Sequence, residues 1–340
     1  MAAAPMADVE LREYRPGDET AILATFNLVF REVCGDSYVD RTLERWRWEF
    51  ADNPQGMRVM LAVTSDGLVA GQYAGVPMRV WSAQHGRELS FFHAVDSMVH
   101  PDYRKGLRKK SLFIEVAERY FETWGGVADE LGFGYPVRPA WRVGERYLGY
   151  RLVRTLDFLR RPTGAVPSDS PVTVDVVEAF PREVDALFAE ARQHCACTTV
   201  KDARYLDWRY AACPDVDYFL LWAHRWGRPA GSCVLRTEGG LVPATATIGD
   251  ILIDPTDSET LPAIVQRCDE LAVTAGCTHL MTVQNPQVAV GRAFAEIGFT
   301  PEPSATWLER KLGSRDFTSG LTQEWLAENW AYALGDSDLF

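Results

Sequence analysis

The sequence predicts an α/β (α+β) protein made of two tandem units, each a mixed sheet flanked by helices. Its 340 residues exceed what one hydrophobic core usually serves and correspond to roughly two domains. Near the middle, the segment RPTGAVPSDSP at 161–171 is rich in Pro, Gly and Ser and has the composition of a linker. The sequences on its two sides share a pattern of residues in the same order, which indicates an internal repeat.

The repeat is clearest in an aromatic segment. At a constant offset of 160 residues, Trp48 matches Trp208 and Phe50 matches Tyr210. The aromatic segments around Trp46, Trp48, Trp208 and Tyr210 are too apolar to face water, so we expect some of these residues to be buried between or beneath the units. Chance recurrence in an aromatic-rich chain is the alternative, but four matches keep their order: 48–54 with 208–214, 70–71 with 230–231, 95–101 with 249–255, and 148–150 with 297–299.

The linker and the repeat set the domain boundaries. We predict an N-terminal unit at 1–162, a linker at 163–171, a second unit at 172–312 and a C-terminal tail at 313–340. The tail carries apolar residues at a spacing that predicts a helix docked on one of the units: Leu321, Trp325, Leu326, Trp330 and Leu334.

Apolar spacing and turn residues place the elements of the first unit in order. Its central part is a strand at 91–100, which Pro101 ends, followed by a helix over 112–120. The other elements are a strand at 9–14, helices over 21–30 and 42–50, strands at 59–64, 68–81 and 130–135, and a last helix and strand within 141–160.

Composition excludes several classes of function. The net charge of −12 argues against nucleic acid or a membrane surface as a partner. Seven scattered cysteines do not form a disulfide framework, and the lone C-x-C of Cys195 and Cys197 lacks the second pair that a metal site needs. The N-terminus does not resemble a secretory signal, and no run approaches the roughly 18 apolar residues of a membrane span. We therefore expect a cytoplasmic protein without a metal.

A basic turn follows the central strand. Period-2 geometry places His93 and Ser97 on one face of this strand and Asp96 on the other. The turn at 104–110 joins the end of the strand to the start of a helix, where unpaired backbone N–H groups and the helix dipole favour a diphosphate. A solvated basic face without a ligand is the alternative.

This stretch resembles the pyrophosphate loop of the GNAT acyltransferases, which has the form Pro-x-x-Arg-x-x-Gly-x-Gly/Ala. Pro101, Arg104 and Gly106 match, but Lys105 alone separates Arg104 from Gly106, and a basic residue replaces the second small one. The resemblance implies a mostly antiparallel sheet in each unit and acyl-CoA, foremost acetyl-CoA, as co-substrate. It implies cofactor contacts from Ser97, Met98, Val99, Arg104, Lys105, Gly106, Leu107, Arg108 and Lys109.

The second copy lacks this basic turn. After Pro255 it reads TDSETLP, in which Asp257 and Glu259 replace the basic residues, and negative charge there would repel a diphosphate. We therefore predict that only the first unit binds the cofactor and that the second is a degenerate copy.

The resemblance also implies candidate catalytic residues. The family places its acceptor base on the central strand, about four residues before the segment that contacts CoA, which here is His93. An imidazole can take a proton from an amine at neutral pH; a buried core histidine is the alternative, and Asp96 is a second candidate base. Family members often use a Tyr to protonate the leaving thiolate. Glu145 occupies that position here, so Tyr147, two residues away, is our candidate acid.

These features predict an acyl-CoA-dependent N-acyltransferase that acts on a small-molecule amine by direct attack on the thioester. One alternative is a transferase whose donor is an aminoacyl-tRNA or an acyl carrier protein, because paired GNAT-like domains also resemble such enzymes. The other is a non-catalytic CoA-binding module, which the short loop and the displaced Tyr would suit. The sequence does not indicate the oligomeric state.

Overall fold

The computed structural model describes residues 8–35, 38–104, 110–164, 170–307 and 309–340. The strands are β1 (Val9–Glu13), β2 (Arg58–Thr64), β3 (Val69–Ser82), β4 (Arg87–Val99), β5 (Leu131–Gly134), β6 (Arg151–Thr155), β7 (Asp157–Pro162), β8 (Val172–Val177), β9 (Cys197–Thr199), β10 (Phe219–Arg225), β11 (Arg228–Arg236), β12 (Thr245–Ile253), β13 (His279–Thr282), β14 (Thr300–Pro303), β15 (Lys311–Asp316) and β16 (Trp330–Ala331).

The α-helices alternate with these strands along the chain. They are α1 (Glu19–Cys34), α2 (Leu43–Trp46), α3 (Leu112–Trp124), α4 (Arg138–Tyr147), α5 (Val184–Ala191), α6 (Ala203–Leu206), α7 (Thr260–Thr274), α8 (Ala289–Glu296) and α9 (Gln323–Asn329). The short helices α2 and α6 each continue into a π-helical turn, Arg47–Ala51 and Asp207–Ala211.

Two mixed sheets form the centre of the molecule, as the sequence predicts. The first has the strand order β1-β2-β3-β4-β5-β15-β6, and the second has the order β14-β7-β13-β12-β11-β10-β8. In each sheet the only parallel pair within this order is the central one, β4 with β5 and β12 with β13. The two orders correspond strand for strand when the second is read backwards, so the sequence repeat reflects a structural repeat.

The two halves of the chain exchange one strand. β15, from the end of the chain, lies between β5 and β6 of the first sheet. β7, from the first half, lies between β13 and β14 of the second sheet. The boundaries at 162 and 312 stay predictions as positions in the sequence, but the hydrogen-bonded sheets cross both of them.

Side chains on both faces of β4 are buried in hydrophobic cores. Phe91 lies in a large core with α1 residues such as Phe26. Phe92 points to the other face and lies in a second core with α3 residues such as Val116 and Tyr120. The first sheet is therefore covered by helices on both faces, which accounts for the long buried run of β3.

The two units meet across a pair of tryptophans. The indole Nε1 of Trp48 donates to the carbonyl oxygen of Trp208 at 2.6 Å, and the indole of Trp208 donates to the carbonyl of Trp48 at 2.7 Å. The two rings stack with centroids 5.7 Å apart. The two hydrogen bonds are equivalent, so a local twofold axis relates the two π-helical turns. The predicted burial of Trp46, Trp48, Trp208 and Tyr210 is confirmed.

The tail, residues 317–340 after β15, crosses to the second unit. The predicted tail helix is present only over Gln323–Asn329; the chain then continues as β16, which pairs with β9, and as a 3₁₀ turn at Leu334–Asp336. Phe340 is buried, with its ring against Tyr210 and Tyr218. Apolar spacing does predict helix here, but the later residues are held by tertiary contacts in an extended form.

Candidate active site

A β-bulge interrupts the central strand β4. Asp96 and Ser97 together oppose the single residue Tyr73 of β3. The φ angle of Asp96 is 50°, a conformation that few residues other than glycine adopt, although Asp tolerates it better than most. A bulge adds one residue to the strand, so it bends the strand and re-aims the side chains that follow.

The bulge makes the predicted alternation wrong after residue 95. Strict period-2 geometry places Val95 and Met98 on opposite faces. In the structure both lie in the same hydrophobic core, because the extra residue reverses the phase of the strand. The sequence carries no clear signal for this reversal.

Next to the bulge, β4 separates from β5. The two strands pair only from Phe91 to His93, whereas β4 pairs with β3 as far as Val99. Within the described chain, no strand pairs with the β5-facing edge of β4 at 94–99. We call this gap, between β4 after His93 and β5 after Phe133, the first cleft. Backbone amides of β4 are available to a ligand there.

The corresponding gap of the second unit, between β12 and β13, is the second cleft. It is filled by the tail. Ala333 forms a β-bridge with Gln284, just after β13. The Phe340 ring packs so closely on Gly249 of β12 that a Cβ at this position would overlap it. The two clefts therefore differ in access, although the sheets around them match.

The predicted cofactor residues that the structure describes lie at the end of the first cleft. Ser97 is exposed, Met98 is buried and Val99 is half-buried. The Arg104 Nε donates to the carbonyl oxygen of Val99 at 3.1 Å, and its Nη1 lies 2.7 Å from Glu32 Oε2. The other predicted contacts lie outside the described residues: Lys105, Gly106, Leu107, Arg108 and Lys109.

A pocket lies beside β4, where the first unit, the second unit and the tail meet. It holds about 370 Å³ of empty space, including solvent at its mouth. We call it the acceptor pocket after the role that we propose for it, and its lining residues are Arg45, Trp48, Glu49, Val76, Met78, His93, Tyr205, Trp208, Arg209, Gly335, Asp336, Ser337 and Asp338.

His93 lies in the wall of the acceptor pocket. Its ring stacks on Phe133 at 5.1 Å and meets the edge of Tyr135. Its Nε2 lies 3.5 Å from Asp338 Oδ1 and has no hydrogen-bond partner in the described chain. Burial lowers the His93 pKa below its ordinary value, although Asp338 and Glu49 oppose this shift. His93 is thus buried and has a ring nitrogen without a hydrogen bond, and its role as a base stays a prediction.

The second candidate base, Asp96, belongs to a buried ion cluster. Arg41 forms an ion pair with Asp96, and its Nη1 lies 3.1 Å from Glu49 Oε2. Burial raises the pKa of Asp96 to about 7; Glu49 and Asp338 add to this effect, and Arg41 opposes it. Strand alternation predicted Asp96 on the face opposite His93, but the bulge brings both residues near the same two carboxylates.

Arg41, Glu49 and Asp338 are not among the site residues that the sequence predicts. The internal repeat holds a signal for the first two, because the offset of 160 residues pairs Arg41 with Lys201 and Glu49 with Arg209. Matched charged positions inside a buried repeat indicate a structural ion pair or a site. Asp338 gives no such signal, since its place depends on the path of the tail.

The second unit repeats the ion pair. Lys201 pairs with Asp250, which stands on β12 where Asp96 stands on β4, and the Tyr210 hydroxyl donates to Asp250 at 2.8 Å. Both residues of this pair are buried. The repeated ion pair is therefore a structural feature of both units. Only positions at which the two units carry different residues can account for a functional site in one of them.

Arg209 carries the opposite charge to its matching position, Glu49. Where the first unit has Glu49, the second has this guanidinium, which donates to the carbonyls of Gly335 at 3.2 Å, Ser337 at 2.8 Å and Phe340 at 3.1 Å. These bonds hold the tail over the second unit. The same bonds place Asp338 beside His93.

No protein-family model matches this sequence, and no curated protein sequence matches it. Solved structures do. A protein from Enterococcus faecalis, described as a probable N-acyltransferase, has a TM-score of 0.64 at 12% identity, with 91% of this chain and 73% of that chain covered. A GCN5-related N-acetyltransferase from Anabaena variabilis has a TM-score of 0.61 at 13% identity, with the same coverages of 91% and 73%. The N-myristoyltransferase of Saccharomyces cerevisiae with bound myristoyl-CoA has a TM-score of 0.58 at 11% identity, with 98% and 85% covered.

The chain has the GNAT fold. The likeness extends over more than nine-tenths of the chain in each case, so it includes both sheets and confirms the predicted fold. At these identities the likeness is one of fold alone. The candidate site is built on the bulged β4 and the first cleft.

Tyr147, the predicted acid, stands apart from the other two candidates. It ends α4 with 52% of its surface exposed, and the guanidinium of Arg146 lies 5.2 Å from its ring centre. Within the described chain, no hydrogen bond, ion pair or ring contact joins it to His93 or Asp96. The nearby Tyr150 is instead buried and hydrogen-bonded to Tyr73 at 2.7 Å, and burial raises its pKa to about 12.

Other classes of site leave no trace in the described residues. These residues contain no group of three or more His, Cys, Asp or Glu side chains that could hold a metal ion. Burial raises the pKa of both Cys195 and Cys197, which disfavours the thiolate that a metal would bind. Among the helices of the described segments, none is both long and apolar enough to cross a bilayer.

Proposed function

We propose that this protein is an acyl-CoA-dependent N-acyltransferase whose first GNAT unit binds acetyl-CoA and whose acceptor is a small-molecule amine in the acceptor pocket. The carrying observation is the asymmetry between the two clefts. The same sheet geometry occurs twice, yet the tail fills only the second cleft, through Ala333 and Phe340. The first cleft lies next to a pocket that contains the unpaired nitrogen of His93.

The described end of the first cleft fits an acyl-CoA diphosphate. Helix α3 begins after Ser111, whose side chain makes no capping hydrogen bond, so the first amides of this helix are available to an anion. Arg104, between β4 and α3, adds a positive charge. Bound acyl-CoA would supply an activated acyl group whose thioester carbon accepts the amine nitrogen.

Side chains of the protein would then accept and donate the protons of the reaction. His93 is neutral at pH 7 because burial lowers its pKa, so it can accept the proton that the amine gives up. Asp338, 3.5 Å from Nε2, stabilises the imidazolium that results. Tyr147 remains our proposed acid for the leaving thiolate, and Asp96 the alternative base.

The donor site is tested by calorimetry of acetyl-CoA binding. We expect one site per chain, and we expect Arg104→Glu to weaken binding at least tenfold, or about 1.4 kcal/mol, because it replaces a cation between β4 and α3 with an anion. Arg119→Glu is the matched control, since Arg119 is an exposed arginine within α3 that pairs with Glu122. Equal affinity of the Arg104→Glu variant and the wild type would refute the assignment.

Turnover is tested by release of the CoA thiol with a panel of amines. Acyl transfer to any amine supports the proposal. Tight CoA binding with no turnover on any amine would instead support the non-catalytic module. Absence of CoA binding, with transfer from an aminoacyl-tRNA or an acyl carrier protein, would support the other alternative.

A further inference from the structure

We propose that the acceptor is an amino acid: its ammonium lies toward Glu49 and its carboxylate toward Arg209, on opposite sides of the acceptor pocket. This inference rests on the proposed function and specifies its substrate class. Five buried side chains of the pocket have a polar atom without a hydrogen bond in the described chain.

Five buried polar atoms in the pocket wall form no hydrogen bond in the described chain. They are Oε2 of Glu49, Nε2 of His93, the hydroxyl of Tyr205, Nη1 of Arg209 and Oδ1 of Asp336. Glu49 Oε2 does lie 3.1 Å from Arg41 Nη1, and His93 Nε2 lies 3.5 Å from Asp338 Oδ1. Buried polar atoms are nearly always hydrogen-bonded in folded proteins, so each exception calls for an explanation. Five exceptions around one pocket indicate a polar ligand with both donors and acceptors.

Charge distinguishes such a ligand from water. Within the described chain, no Asp or Glu side chain forms an ion pair with Arg209, whose Nε and Nη2 donate only to main-chain carbonyls. Asp336 also lines the pocket, but it forms no ion pair with Arg209 in the described chain and accepts a hydrogen bond from the amide of Ala333. Burial raises the pKa of Asp336 to about 6, although Lys201 opposes this shift. A buried guanidinium without a carboxylate is costly. Water can bond to it but cannot neutralise it, whereas a ligand carboxylate does both.

The opposite side of the pocket carries excess negative charge. The guanidinium of Arg41 serves both Glu49 and Asp96, whose pKa is about 7. Arg45, which also lines the pocket, pairs with Asp215, and Asp338 faces the neutral His93. An ammonium bound there would offset this excess and would lie beside the unpaired nitrogen of His93. The two sides together therefore complement a molecule that carries one positive and one negative group.

The internal repeat explains how two opposite charges come to flank one pocket. Glu49 and Arg209 occupy matching positions and follow Trp48 and Trp208, the two tryptophans that meet at the local twofold axis. Both charges act on the same imidazole, since Glu49 raises and Arg209 lowers the pKa of His93. The tryptophan rings, with Val76 and Met78, provide apolar walls for the side chain of the amino acid.

The test compares matched acceptors of the full-length protein. The panel consists of the common α-amino acids, their carboxamides and the amines obtained by decarboxylation, each assayed with acetyl-CoA by thiol release. We expect the best amino acid to have a kcat/KM at least tenfold above both of its matched analogues. The carboxamide has a lower amine pKa than the amino acid and the decarboxylated amine a higher one, so a preference over both cannot arise from amine ionisation.

Two variants test which pocket residue causes the preference for the amino acid over its carboxamide. Arg209→Gln should reduce the discrimination between an amino acid and its carboxamide to less than about twofold, and Arg209→Lys should restore part of it. Because Arg209 also holds the tail, Glu49→Gln serves as the second variant. It should weaken the amino acid and its carboxamide equally, and so leave the preference for the carboxylate intact.

The outcomes separate this inference from the proposed function. Transfer to carboxamides or decarboxylated amines as fast as to amino acids would overturn the inference and leave the acyltransferase in place. If no amine is acylated, the proposed function fails. In that case, calorimetry measures the binding of the same amino acids, carboxamides and amines to the pocket. If the amino acids bind no more tightly than their analogues, or if none of them binds, the inference is overturned as well.

Discussion

The unpaired nitrogen of His93 gives the site its most specific residue-level prediction. We expect kcat/KM to rise with pH through an apparent pKa below 6.5, since burial lowers the His93 pKa more than Asp338 and Glu49 raise it, and Arg209 adds to the lowering. His93→Ala should reduce kcat/KM by about 10² to 10⁴ and leave acetyl-CoA affinity nearly unchanged. Steady-state kinetics across pH 5 to 9 measure both effects.

Asp96→Asn is the control for this assignment. If Asp96 is the base, its variant suffers the larger loss, and the wild-type profile rises near pH 7, where the Asp96 pKa lies. A His93→Ala protein with full activity and an unaltered pH profile would remove His93 from the mechanism.

Asp96 also leads to a prediction about stability. Its pKa is about 7 in the folded protein and 3.8 in the unfolded chain, so the folded state binds more protons between these values. The contribution of Asp96 to the free energy of unfolding is therefore fully present below about pH 4 and is lost as the pH rises to 7. The free energy of unfolding falls by up to about 1.4 kcal/mol per pH unit in this range. Asp96→Asn cannot ionise, so we expect its free energy of unfolding to fall less between pH 5 and 8 than that of the wild type.

Urea unfolding at the two pH values measures this difference. Asp102→Asn, at an exposed carboxylate after β4, is the control and should follow the wild type. Equal losses in the wild type and in Asp96→Asn would show that Arg41 holds Asp96 fully ionised.

At the scale of elements, the tail connects the two units, and its contacts lead to a further prediction. Phe340→Ala removes a buried ring that packs on Gly249, Tyr210 and Tyr218, which should cost about 3–5 kcal/mol of stability. Loosening the tail also moves Asp338 away from His93. Because Asp338 raises the His93 pKa, the acidic limb of the rate profile should shift to lower pH.

Thermal unfolding and the pH–rate profile together check this prediction. Leu339→Ala is the matched control, since this neighbouring side chain is only partly buried and should cost less. A Phe340→Ala protein with unchanged melting and an unchanged profile would show that the tail does not position Asp338.

The elements also show where sequence reasoning succeeds. The strand–turn–helix at 91–120 could be predicted because its signals are local: apolar alternation, Pro101 and helical spacing after Ser111. The bulge at Asp96 could not, since a one-residue insertion is decided by pairing with β3 and leaves the composition of the strand unchanged. The second half of the tail could not either, because contacts with β9 and β12 override its helical spacing.

At the scale of the whole molecule, the repeat could be read from the sequence, but the strand exchange could not. Matching residues such as Trp48 and Trp208 keep their offset, so two copies of one fold are visible without a structure. β7 and β15, by contrast, each follow the last helix of their own unit and read like its closing strand. Which sheet each one joins depends on non-local pairing and on the twofold contact between the units, for which a single sequence holds no signal.

The exchange leads to the last prediction, that residues 1–162 alone do not form a stable unit. This fragment lacks β15, so the facing edges of β5 and β6 lose their partner, and it ends in β7, whose partners β13 and β14 are absent. It also exposes Trp48, which packs on Trp208 in the full chain. Unpaired strand edges and exposed aromatic surface promote aggregation.

We expect the 1–162 fragment to be insoluble or to melt without cooperativity. Co-expression with 163–340 should recover a soluble complex, because the second fragment supplies β15 and accepts β7. Calorimetry and size-exclusion chromatography distinguish these results. A soluble 1–162 fragment with a cooperative transition would show that the first sheet does not depend on the exchanged strand.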